Sequence, residues 1–77
     1  MKKLMIDMLK QTSDYRCGNV AYTDHAHPAG ISVYSKGASH GAFHSPQLAT
    51  MFKSAGFSTF CHYNENDNRV ELTICGN

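Results

Sequence analysis

The sequence predicts an α+β fold, a two-layer sandwich with a four-stranded antiparallel sheet and one or two helices on one face, in the order α-β-β-α-β-β. Three observations predict it. Apolar residues recur at helical spacing near the N-terminus and again over residues 48–55. A pair of strand-like runs, rich in β-branched and aromatic residues, follows each of these stretches. Finally, Arg69-Val70-Glu71-Leu72-Thr73-Ile74 alternates cleanly between polar and apolar.

Met1, Leu4, Met5, Met8 and Leu9 follow the i, i+3, i+4, i+7, i+8 pattern of an amphipathic helix over residues 2–11, with Lys2, Lys3, Asp7 and Lys10 mostly on the other side. A helix this short persists only when packed on something. Thr12-Ser13-Asp14 ends it, and Asp14-Tyr15-Arg16 is expected to be solvated at that end. Asn19–Thr23 and Ile31–Ser35 read as two strands separated by the loop Asp24-His25-Ala26-His27-Pro28-Ala29-Gly30. Pairing Tyr22 with Val33 puts Ala21 and Tyr34 together on the other face. Residues 36–44 show no sustained period and read as a long loop, the kind of segment that more often carries function.

Ser45-Pro46 is a helix entry, because serine caps free N–H groups and proline suits the first turn. Leu48, Met51, Phe52 and Ala55 draw one apolar stripe, Gly56 supplies a left-handed stop, and Phe57 can fold back onto Phe52. Phe57, Thr59, Phe60, Cys61 and Tyr63 then lead into a polar turn and the alternating strand, whose Val70, Leu72 and Ile74 face the core. Turn length sets the register here. A five-residue turn over Asn64–Asn68 sets Tyr63 opposite Arg69 and buries Phe60 opposite Leu72. A turn one residue shorter buries Phe57, Thr59 and Cys61 instead. The longer turn is favoured, since Phe57 already has a role at the helix end, and it groups Thr59, Cys61, Tyr63, Glu71 and Thr73 on the opposite face. Partly apolar and uncovered, the face holding Tyr34, Tyr63 and Cys61 is the expected contact surface.

All 77 residues make one domain, 1–77, which buries only about 60% of its unfolded surface and has a thin stability margin. Seven basic against six acidic residues give a net charge of +1, too little to steer the chain to nucleic acid or to an anionic membrane. Cys17, Cys61 and Cys75 are an odd set without C-x-x-C spacing, which fits a reduced, cytoplasmic setting better than a disulfide framework. Lys2-Lys3 before Leu4-Met5-Ile6 begins like a signal peptide, but Asp7 and Lys10 interrupt it, and no run approaches the ~18 apolar residues of a membrane span.

The five histidines, His25, His27, His40, His44 and His62, are the residues best suited to chemistry near neutral pH. His25-x-His27 is the candidate metal pair, since an extended loop would send both rings to one side. His40-x-x-x-His44 has helical ligand spacing, but Gly41 and the following Ser-Pro argue against a helix there. Short-spaced cysteine ligands are missing, so no metal or other cofactor is expected. Cys61 and His62 are adjacent, and a strand sends them to opposite faces, so they cannot form a nucleophile–base pair. Phosphate-cradling, dinucleotide and G-x-S-x-G motifs are absent.

These readings favour a small non-enzymatic protein-binding module with Tyr34, His40, Phe43, His44 and Tyr63 as contact residues. Size alone suggests the inhibitors that phages and mobile elements direct at host complexes, anti-CRISPR-type proteins among them. Self-association as a homodimer is a related expectation, because a second copy would cover a thin core. The alternative is a metal-free ribonuclease or toxin-like enzyme with His40 or His44 as general base, near Lys36 and Lys53.

Overall fold

Apolar spacing and helix-ending residues shape the first layer. The computed structural model describes residues 2–26, 29–36 and 45–76. Helix α1 (Lys2–Lys10) buries Met5 and Leu9 completely, whereas Leu4 stays half exposed on its flank. The chain does not simply stop there. Thr12 donates its hydroxyl to the Leu9 carbonyl (2.6 Å) and accepts the Tyr15 N–H (3.3 Å), so it closes α1 and caps a second short helix, α2 (Ser13–Arg16). The expected solvated end, Asp14-Tyr15-Arg16, is therefore helical: one threonine serves both helix ends, as capping chemistry permits.

Strand β1 (Val20–His25) pairs antiparallel with β2 (Gly30–Ser35). Tyr22 lies opposite Val33 and Ala21 opposite Tyr34, the expected register. Asp24 and His25, read from sequence as loop, extend the strand instead. Lys2 holds them, with Nζ 2.8 Å from Asp24 Oδ1 and 2.8 Å from the His25 carbonyl oxygen.

Helix α3 (Ser45–Ser54) buries Leu48 and Phe52. The Ser45 cap rests on a side chain outside the described residues. At the other end Gly56 has φ +97°, its N–H donates to the Lys53 carbonyl (3.0 Å), and the Phe57 N–H reaches back to the Phe52 carbonyl (3.1 Å). Phe57 packs edge-on against Phe52 with ring centroids 5.9 Å apart. This is the left-handed stop and hydrophobic return expected from the sequence. A Cβ on Gly56 would meet nothing within 4 Å, so Gly56→Ala tests backbone conformation alone. We expect that substitution to cost about 1 kcal/mol in a chemical denaturation curve.

Strands β3 (Ser58–Asn64) and β4 (Arg69–Cys75) form the second hairpin, and the sheet order is β1-β2-β4-β3. The two hairpins thus lie side by side through their second strands. Ile31, Val33, Leu72 and Ile74 on the central pair are at most 1% exposed and meet Met5, Leu9, Leu48, Phe52 and Phe57 from the helix layer. Among the described residues no helix is long and apolar enough to cross a membrane.

The favoured register of the second hairpin is corrected. Asn64 pairs with Arg69, Tyr63 with Val70 and Cys61 with Leu72. Asn64 is the cause: its Oδ1 accepts the N–H groups of Asn66 (3.0 Å) and Asp67 (3.2 Å), so it begins the turn while remaining in the ladder. Asn68 closes the turn at φ +55°, which asparagine tolerates. A slip of one residue exchanges the faces. Phe60 and His62 move to the face away from the helices, and Thr59, Cys61 and Tyr63 move to the helix side. There Tyr63 and Val70 stand at the far end of the hairpin, 54% and 36% exposed.

Candidate functional site

Period-two alternation sends one residue in two of each strand to the uncovered face. Three rows cross it: Thr23–Ser32–Thr73–Phe60, Ala21–Tyr34–Glu71–His62, and His25–Gly30–Cys75–Ser58. Gly30, opposite His25, has no side chain, so the His25 ring can lean toward Ser32 in the next row.

The result is a hydrogen-bonded line with one member from every strand. His25 Nε2 lies 2.6 Å from Ser32 Oγ, Ser32 Oγ lies 2.8 Å from Thr73 Oγ1, and Thr73 Oγ1 lies 2.7 Å from His62 Nε2. Ser32 is 1% exposed. A hydroxyl held so far from water needs partners for its donor and its acceptor, and the line provides both.

Beside the line lies a charged cluster. Glu71, 4% exposed, accepts from Arg69 Nε (2.7 Å) and Asn64 Nδ2 (3.0 Å), and its other oxygen is 4.0 Å from His62 Nε2. The Arg69 guanidinium also reaches Asp67 (3.4 Å) and sits 3.5 Å over the centre of the Tyr34 ring. Burial by itself pushes the Glu71 pKa up. The bonds from Arg69 and Asn64, with the charges of Arg69 and His62, outweigh burial and hold the carboxyl below the ordinary carboxylate range. The same bond, against a smaller opposing effect of burial, raises Arg69 above its ordinary value.

The line and the cluster wall a cavity of about 370 Å³, lined by His25, Ser32, Phe60, His62, Asn64, Glu71, Thr73 and Cys75. Phe60 stands at it 53% exposed. A second hollow, about 310 Å³, lies against α2 and β1 and offers Lys36 and two tyrosines, with no histidine or carboxylate among the described residues that line it.

Of the residues singled out from sequence, Tyr34 lies on the uncovered face beneath Arg69, and His25 lies in the cavity wall. Tyr63 stands on the other face, its hydroxyl donating to Asn68 Oδ1. His27, His40, Phe43 and His44 are outside the described residues. Among the described residues no three His, Cys, Asp or Glu side chains are grouped to hold a metal ion. His62, weighed from sequence only as one of five histidines and as the neighbour of Cys61, also lines the cavity, and Ser32, Phe60, Glu71 and Thr73 carry the site without having been singled out. Their signal was the polar set Arg69, Glu71 and Thr73 alternating along β4, which marks a second structured face once the hairpin register is right.

No protein-family model, curated protein or solved structure matches this chain.

Proposed function

We propose that this protein is a binding module that engages a protein partner through the uncovered face of its sheet, centred on Phe60 and the adjoining cavity. One observation carries this reading: a large exposed aromatic stands beside a cavity whose polar walls are already paired with one another. Such a surface loses little on drying, because its buried donors and acceptors keep their partners when water leaves. Phe60 supplies stiff apolar area at its centre, the character of an interface anchor. Of the hydroxyls and the thiol that line the cavity, Ser32 and Cys75 are 1% and 8% exposed and poorly placed to attack a substrate, and the Thr73 hydroxyl is bonded to Ser32 and His62, which favours contact over catalysis.

The partner is a protein complex of the cell in which the chain acts, and inhibition of such a complex by a phage or mobile-element product is the form this reading takes for so small a domain. A reducing cytoplasm suits Cys17, Cys61 and Cys75, none of which forms a disulfide. Homodimerisation is a second protein contact within the same reading, and a native mass spectrum reads it directly.

The test is comparative capture from native cells with wild type, Phe60→Glu and Leu4→Glu. Leu4 is the helix-layer control, 51% exposed and on the opposite side of the molecule. Phe60→Glu is expected to weaken retention of a defined partner by about 2 kcal/mol or more, roughly thirty-fold, while Leu4→Glu retains it. Equal retention by wild type and Phe60→Glu, with loss in Leu4→Glu, would move the contact surface to the helices.

A further inference from the structure

The ladder between β1 and β2 fixes which backbone groups of β1 point outward. The Lys36 N–H donates to the Asn19 carbonyl (2.9 Å), and these two residues face each other in the register that pairs Val20 with Ser35. Bonded pairs alternate in an antiparallel ladder, so Ala21, Thr23 and His25 turn their N–H and C=O toward β2. Val20, Tyr22 and Asp24 turn theirs to the outer edge, because β1 ends the sheet. No described residue bonds these outward groups. Tyr22 is half-buried and Asp24 exposed, so their groups are within reach of a partner, whereas Val20 is covered. The hollow of about 310 Å³ lies along this edge: Val20 and Tyr22 face the helix layer and Ala21 the uncovered face, yet all three line it. On its helix side stand Tyr15 and Tyr22, with ring centroids 6.4 Å apart. Lys36 also lines it, continuing the alternation of Ser32 and Tyr34 on the uncovered face.

We propose that the outer edge of β1 takes an extended segment of a partner protein as a fifth strand, one whose side chains alternate between apolar and acidic. This contact is separate from the one centred on Phe60. Main-chain bonds to Tyr22 and Asp24 hold the added strand, and side chains on its two faces select it. Every second side chain points to each face of a strand. Apolar ones on the helix side meet the rings of Tyr15 and Tyr22, and acidic ones on the other side meet the charge of Lys36. Covered Val20 and α2 stop the segment at one end of the hollow. Neither edge strand of a second copy supplies this pattern. The Asp24 carboxylate of β1 stands on the helix side with Lys2 (2.8 Å), and β3 contains no Asp or Glu.

The test is nuclear magnetic resonance of the ¹⁵N-labelled full chain with a short, end-blocked peptide that alternates valine and glutamate. One control peptide carries lysine in place of glutamate, and a second carries methyl groups on its backbone nitrogens. The glutamate peptide should bind saturably, shift the amide resonances of Tyr22 and Asp24, and slow their hydrogen exchange. Each control should bind at least about ten-fold more weakly. Asp24→Pro removes an outward N–H and no ladder donor, and it should weaken the glutamate peptide to the same degree. Lys36→Glu should prefer the lysine peptide, and it decides the matter should Asp24→Pro fail to fold. No saturable response, equal binding of the methylated peptide, shifts at Phe60 and His62 in place of β1, or an unchanged preference in Lys36→Glu each overturns the proposal. Broadening of the Tyr22 and Asp24 amides with protein concentration alone would give the edge to a second copy, and overturns it too. Phe60→Glu should bind the peptide as wild type does, so this contact and the one at Phe60 can fail separately.

Discussion

Replacing Gly30 by alanine is expected to destabilise the fold by about 2–3 kcal/mol. Gly30 lies between His25 on β1 and Cys75 on β4, inside the ladder that joins the two hairpins. In a regular strand the Cβ stands off the sheet. At Gly30 the backbone aims that bond at the neighbouring strand, and a Cβ would overlap the Ile74 carbonyl. Backbone on a central strand cannot step aside as the end of a lysine could, so β2 and β4 must part. A core of this size seldom supplies more than roughly 3–5 kcal/mol, so one methyl group removes most of the margin. Urea denaturation should show a lower midpoint with an unchanged slope. A midpoint equal to that of wild type would mean that the strands have room the structure does not show.

The helix layer and most of the sheet were legible because they rest on local rules. Leu48, Phe52, Gly56 and Phe57 spell a helix and its stop within ten residues, and the structure makes each of the contacts they imply. The uncovered face was not legible in the same way. Its composition depends on one residue of turn length, and Asn64 belongs to strand and turn at once. The role of Phe57 at the helix end favoured the register that buries Phe60, and two side-chain bonds in the turn decided otherwise. The joining of β2 to β4 is likewise non-local, and nothing in residues 30–35 by themselves announces Ile74 as the neighbour of Ile31. Candidate site residues chosen by type, the histidines and tyrosines, were therefore separated by the fold: Tyr34 and His25 stayed on the face that holds the cavity, and Tyr63 left it.

Glu71→Gln should cost about 1.5–3 kcal/mol at neutral pH and almost nothing in acid. Glutamine keeps the shape of the side chain but not the charge that Arg69 Nε meets at 2.7 Å, and it offers Asn64 a weaker acceptor. Because the folded-state pKa of Glu71 is lowered, the stability it contributes is complete above the unfolded carboxylate value of about 4.3 and is lost as pH falls through the lower folded value. Wild type should thus lose stability steeply from about pH 5 downward, and Glu71→Gln should show a shallower slope over the same range. The two curves should converge in strong acid, where the carboxyl of wild type is protonated. Arg69 keeps Asp67 at 3.4 Å and the Tyr34 ring when the glutamate charge is gone, which limits the loss to that range rather than the larger cost of stranding a buried cation. Parallel curves across the whole pH range would show that Glu71 acts in this sheet by shape and not by charge.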